Sequence, residues 1–371
     1  MKRFLAIAFS IIFGINSFSQ TEEEQIINTL KNYIEGTSFN QTKTIQKAFY
    51  KDANLYLSHP KKDIWIVPIS EYQNWFDNKN KGKFNGRIGN IISIDFFQDI
   101  ATAKAEILIP EKETRFIDLF LLKKINNHWK IISKTASKEK SKNSGNKILF
   151  IVSNAHFHGK SDLPTGNSFY ELISAFETFK NAGFTVDFVS PNGKAIPIAY
   201  INTSNLNHKK YLYNFDFMYA LKNTKSPKEI TPKEYKAVHY IGGGSAMYGV
   251  PENKEIQKIA MEIYEKYGGI ISSVCHGTAG IVHLKTSDGK FLVDGKNISG
   301  YPDSYEKYDA EYYQQFPFKI QQTIEKRGGK FQYSPRNTAH VESDQNVITG
   351  QNYLSSKYVA LKIIEELNKQ K

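Results

Sequence analysis

The only cysteine of the chain, Cys275, lies in the run Ile270-Ile271-Ser272-Ser273-Val274-Cys275-His276-Gly277. Five residues suited to a buried strand lead straight into the thiol, and small residues follow at Gly277 and Ala279. That pattern reads as a sharp strand-to-helix turn, which holds a nucleophile clear of the sheet. The start of a helix favours thiolate over thiol. His276, turned alongside the sulfur, would complete an activated Cys–His pair. Such a pair attacks electrophilic carbonyls or amides. A lone cysteine forms no internal disulfide, so it is either buried and inert or kept for its chemistry.

Other groups could serve such a nucleophile. Gly242-Gly243-Gly244-Ser245 closes an apolar stretch as a tight turn, and backbone amides in such a turn can stabilise an oxyanion. Glu171 stands in the first turn of an expected helix, where residue type alone predicts an exposed charge. Asp303 and Glu306 are acids within six residues of Gly300. His156 and His158 form an i, i+2 pair that could touch a metal, but no clear third ligand accompanies them, so no metal site is expected. His340, before Val341, reads as a satisfied polar group.

The elements around these residues alternate. Residues 147–153, 184–189, 235–241 and 269–274 read as apolar strands. Residues 168–180, 253–267 and 356–367 read as helices. Strand–helix alternation with buried strands implies a parallel sheet covered on both faces. Residues 136–146 carry no large apolar side chain and read as a linker.

Before that linker the pattern differs. Ile26, Ile27, Leu30, Tyr33 and Ile34 share one helical face, which Gly36 is expected to end. A short helix is expected near Ile45 to Phe49. Strands then dominate, including Phe116 to Ile125 and, after Asn126-Asn127, Trp129 to Ser133. Helices first and long antiparallel strands later suggest an α+β fold with a curved sheet. Trp65, Trp75 and Trp129 are expected to fill its cone-shaped core rather than line a pocket.

Residues 147–367 resemble the ThiJ/PfpI superfamily, within the class I glutamine-amidotransferase-like fold and nearest its heat-shock-protein-31-like branch. Cys275-His276-Gly277 matches the family's Cys-His-Gly. Ser287-Asp288-Gly289 and Asp294-Gly295-Lys296 resemble the stretch that follows it, and Ile348-Thr349-Gly350-Gln351-Asn352 matches the C-terminal motif. The resemblance implies a flavodoxin-like parallel-sheet sandwich. It implies that Glu171, after Thr165-Gly166, is a buried acid bonded to the Cys sulfur, and that Glu306, with Asp303 as the alternative, orients His276. Gly242-Gly243-Gly244-Ser245 matches the family's Gly-Gly-His-Gly loop, which makes Gly243 and Gly244, with Gly277, the oxyanion and substrate-binding positions. Gly244 departs from the family's His and Ser245 from its Gly. Residues 22–134 resemble the SnoaL-like, nuclear-transport-factor-2-like superfamily, in its lumazine-binding branch, through Tyr33-Ile34-Glu35-Gly36, Ala101-Thr102-Ala103 and Trp129-Lys130-Ile131-Ile132 among others.

Composition bounds the rest. The 371 residues exceed one ordinary core, and the division expected is a signal peptide at 1–19, domains at 20–135 and 147–371, and the linker between them. Lys2-Arg3, the apolar run Phe4 to Phe13 and the small Ser17 and Ser19 give the export signal, and the expected compartment is periplasmic or extracellular. The formal net charge of +12 comes from scattered Lys without a basic aromatic stripe. That pattern argues against nucleic acid and stable membrane association as partners.

The expected activity is that of a cysteine-dependent lyase or hydrolase on a small carbonyl compound or peptide. Glyoxalase III conversion of methylglyoxal to lactate, without a cofactor, leads. A holding chaperone, ligand-binding protein, redox sensor, peptidase or amidase are the alternatives, and a homodimer is the expected assembly.

Overall fold

The computed structural model describes residues 20–77 and 80–370. The expected signal peptide therefore lies outside the described residues. Thr21 caps the first helix, α1 (Glu22–Ser38), in a reciprocal box with Glu24. Ile26, Leu30 and Tyr33 face the core, as their spacing requires. Gly36 does not end this helix. It admits α2 (Thr42–Ala48), because a Cβ there would come 2.7 Å from Ile45 Cγ1.

These helices pack on a six-stranded sheet made of β1 (Phe49–His59), β2 (Lys62–Pro68), β3 (Ile88–Phe97), β4 (Ile100–Ile109), β5 (Thr114–Ile125) and β6 (His128–Lys140). The strand order is β2-β1-β6-β5-β4-β3, antiparallel except for the parallel β1–β6 pair. Trp129 is buried, and its indole N–H donates to Glu22 at 2.7 Å. Trp65 and Trp75 depart from the expected core role. They pack 5.3 Å apart, with Trp65 half-buried and Trp75 exposed. β6 runs on to Lys140, paired with Thr114, so residues 136–140 of the expected linker are strand. A ladder needs only backbone groups, and the polar side chains of residues 137–140 remain in solvent.

The second domain is a doubly covered sheet. Its strands are β7 (Lys147–Ile151), β8 (Thr185–Val189), β9 (Tyr235–Tyr240), β10 (Ile270–Val274), β11 (Val341–Asp344) and β12 (Val347–Gly350). The order is β11-β12-β10-β9-β7-β8, all parallel except the β11–β12 hairpin at one edge. Helix α3 (Phe169–Asn181), α4 (Phe215–Lys222) and α7 (Ser356–Lys369) cover one face. α5 (Lys254–Met261) and α6 (Ile320–Lys326) cover the other. Both faces being buried explains the near-continuous apolar strands. No helix among the described residues is long and apolar enough to cross a membrane.

The two domains meet at α4. Asp216 accepts from Ser93 Oγ at 2.7 Å and pairs with Lys104 Nζ at 2.7 Å, and Tyr219 donates to Glu23 at 2.7 Å.

Candidate active site

The central strands β9 and β10 end side by side, and their carboxyl ends carry the chemistry. Ligands collect in such a crevice in open α/β sheets. Cys275 directly follows β10 with φ +57°, a left-handed conformation that costs a non-glycine residue roughly 1–2 kcal/mol. The strain is that of a nucleophile elbow. Gly277 makes the turn possible, because a Cβ there would strike the Tyr240 carbonyl. The chain then forms a short 3-10 turn over Cys275–Ile281 instead of a full helix.

Glu171 sits in the first turn of α3, only 1% exposed. The residue-type expectation of an exposed charge is overturned. The Gly242 N–H donates to its Oε2 at 2.8 Å, and its carboxyl hydrogen-bonds Cys275. Burial pushes Glu171 up to about 7. Burial, reinforced by the Glu171 charge, also pushes the Cys275 thiol well above its usual range. This corrects the expectation of a thiol lowered by a helix start, because the short turn does not offset desolvation. Two acids facing one another do not both ionise readily. Of the two, Glu171 ionises first, so the resting pair holds its proton on sulfur and the carboxylate stands where it can take that proton as the sulfur attacks.

His276 does turn alongside the sulfur. Its Nδ1 lies 3.5 Å from Cys275 Sγ, and its Nε2 lies 2.7 Å from Glu306 Oε1. The other Glu306 oxygen accepts from the Tyr312 hydroxyl at 2.9 Å. Tyr301 stacks on the His276 ring with centroids 4.7 Å apart. Asp303 is not the orienting acid. It accepts from the Gln321 and Gln322 amides at 3.3 and 3.0 Å and so holds the start of α6.

Gly243 has φ +99°, and a Cβ there would strike the Gly166 carbonyl. Beside this loop stand two residues that sequence reasoning did not place here. Tyr200 adopts φ +59°, a second strained non-glycine backbone. Tyr200 is 63% exposed. Its hydroxyl end nonetheless reaches the Gly244 amide near Cys275, and burial pushes it up to about 12. His158 is buried among Tyr248, Tyr312 and Phe316, whereas His156 is exposed. The two histidines face apart, and no cluster of three metal-binding side chains occurs among the described residues. His340 has both ring nitrogens engaged, at 2.7 Å from Ser334 Oγ and 2.8 Å from Glu342. None of the residues named around Cys275 comes from the first domain.

Comparison with known proteins agrees with this architecture. A family model described as DJ-1/PfpI family matches residues 164–366, more than half the chain. The chain belongs to the DJ-1/PfpI family. A second model, "Putative lumazine-binding", matches residues 21–137, so the first domain is of the SnoaL-like, nuclear-transport-factor-2-like type. The chain is 30% identical over 217 residues to glutathione-independent glyoxalase HSP31 of Saccharomyces cerevisiae, covering 55% of this chain and 90% of that protein. It is 29% identical to glutathione-independent glyoxalase hsp3102 of Schizosaccharomyces pombe, covering 53% of this chain and 86% of the relative. Among solved structures, glyoxalase III from Candida albicans superposes with TM-score 0.54 at 26% identity, covering 60% of this chain and 97% of that one. Within the DJ-1/PfpI family, the elbow cysteine followed by His is thus placed as its motif predicted, at the carboxyl edge of the parallel sheet.

Proposed function

We propose that this protein is a glutathione-independent glyoxalase of the DJ-1/PfpI family, in which Cys275 converts methylglyoxal to lactate without a cofactor. One observation carries the reading: Cys275 Sγ lies between a buried Glu171 and a His276 ring tied to Glu306. The kinship to named glyoxalases supports it.

The Cys275 thiol passes its proton to Glu171 as the sulfur adds to the aldehyde carbon, and the carbonyl oxygen becomes an alkoxide near the Gly243 and Gly244 amides. Proton uptake gives a thiohemiacetal. His276 or Glu171 then removes the proton on that carbon, and the electron pair forms an enediol. Return of a proton to the neighbouring carbon leaves a thioester of lactate on Cys275. Water cleaves the thioester, which releases lactate and restores the thiol.

Purified protein should consume methylglyoxal and form lactate with no glutathione added, and Cys275→Ser should stop both. A Cys275→Ser protein as active as its parent sinks the reading. The Lys2-Arg3 start and its apolar run support action outside the cytoplasm, which cell fractionation tests. Exposed Ile64, Ile66, Leu119 and Leu121 on the first domain's sheet support a homodimer, which sedimentation against the 42.4 kDa chain mass tests.

A further inference from the structure

Gly244 supplies no side chain, yet the volume beside it is filled. A Cβ on Gly244 would come 2.5 Å from His158 Cε1, 2.5 Å from Thr165 Oγ1 and 3.1 Å from His158 Nε2. An imidazole and a hydroxyl from the loop after β7 thus stand where any side chain at position 244 would emerge. Backbone pairs fasten that loop: the His158 N–H donates to Leu163 at 2.9 Å and the Thr165 N–H to His156 at 2.8 Å.

Three facts tie His158 to the reacting groups. Its ring packs on Phe316, and the His276 ring packs on the same Phe316, with centroids 5.9 and 5.5 Å away. It also packs on Tyr312, whose hydroxyl donates to Glu306. His158 is only 7% exposed, and its Nδ1 has no hydrogen-bond partner; nor has Thr165 Oγ1. Buried polar atoms are nearly always paired, so the orphaned Thr165 Oγ1 beside Gly244, with the Cε1–Nε2 edge of the under-bonded His158 ring turned to the same loop, points to a ligand that pairs them. Burial, aided by His276, lowers the His158 pKa. A neutral ring carries both a donor and an acceptor.

We propose that His158 and Thr165 form a substrate subsite that binds the second oxygen of a 2-oxoaldehyde, with the family's imidazole at position 244 supplied here from position 158. The proposal rests on the glyoxalase reading and deepens it. The Gly243 and Gly244 amides face the oxygen on the attacked carbon. The subsite faces the oxygen on its neighbour. When the C–H proton of the thiohemiacetal passes to the base, the electron pair forms the C=C bond and that second carbonyl oxygen becomes negative. His158 and Thr165 donate to it there, and the proton is then delivered to the carbon that bears this second oxygen, which leaves the lactate thioester on Cys275.

The test is a swap. His158→Ala should lower kcat on methylglyoxal about 10- to 100-fold, as loss of an oxyanion donor does, and Thr165→Val should lower it by less. Iodoacetamide alkylation of Cys275 should stay within about twofold, because the nucleophile is untouched. Gly244→His alone should also lose activity, since His158 blocks its side chain. The double variant His158→Ala with Gly244→His should recover most of the loss. His158→Gln, which fills the space and keeps a donor, should fall between wild type and His158→Ala and serves if the swap misfolds.

An unchanged kcat/KM in folded His158→Ala overturns the proposal, and so does a folded double variant no better than His158→Ala. Wild-type protein inert to methylglyoxal would instead sink the glyoxalase reading. The subsite is then judged by titrating hydroxyacetone, as the probe, into Cys275→Ser protein by NMR. His158→Ala in that background should weaken binding several-fold, and unchanged binding overturns the subsite.

Discussion

Cys275, Glu171, His276 and Glu306 divide the work by environment. Glu171 is raised to about 7 by burial, against an ordinary 4.5. A carboxyl raised in the folded state stabilises the fold at low pH, and that contribution is lost as pH rises through the folded value. Between pH 5 and 8 the loss should be about 2–3 kcal/mol. Glu171→Gln should therefore gain stability relative to wild type by that amount across the range, measured by urea unfolding at both pH values. An equal gap at both pH values contradicts the raised carboxyl. Glu306→Gln should lower kcat roughly 100-fold, because the His276 ring loses its orienting anion. Asp303→Asn should leave kcat alone and cost about 1 kcal/mol of stability by weakening the start of α6. Steady-state kinetics and thermal melts separate the two. Both acids were visible in the sequence; residue type alone could not rank them, and the family resemblance put Glu306 first with Asp303 as the alternative. The physical basis for that order is a turn that aims Asp303 at the Gln321 and Gln322 amides.

The elements made the site possible through close approach. Gly277→Ala should destabilise the protein by about 3 kcal/mol, since the new Cβ meets the Tyr240 backbone and neither strand can yield. A melting curve checks this, and wild-type stability would contradict it. The β9 and β10 strands, the elbow and α3 were readable because apolar runs ended in Gly or Cys. Loops were the blind spot. Tyr200 follows a Pro-Ile-Ala run with no catalytic signature, and its left-handed backbone has no marker in a tyrosine's identity. His158 was noticed as half of a His pair. Its real neighbours, Gly244, Tyr312 and Phe316, lie far away in sequence. β6 hid its last five residues behind a linker-like composition, since exposed ladder positions carry the same polar residues as loops.

At the scale of the whole molecule, two folds share one chain and one modest seam. A partly exposed Lys104–Asp216 pair and the buried Ser93 hydroxyl, which donates to Asp216, join them. Asp216→Ala should cost less than ~1 kcal/mol and leave kcat/KM unchanged. It should speed proteolysis at residues 141–146, the part of the expected linker that lies outside the strand. A marked fall in kcat/KM would show that the first domain shapes the Cys275 site. Two domains were legible because periodicity changes from long alternating strands to apolar strands separated by helices. Their seam was not, because α4 gives no sign of which surface it faces.

The central claim is that the Cys275 sulfur bonds covalently to the substrate carbon. Rapid acid quenching of enzyme mixed with methylglyoxal, followed by peptide mass mapping, tests it most directly. We predict a lactoyl or hemithioacetal adduct on the peptide bearing Cys275, formed before the first product is released and absent from Cys275→Ser. Full turnover with Cys275 unmodified at every quench time would contradict the account.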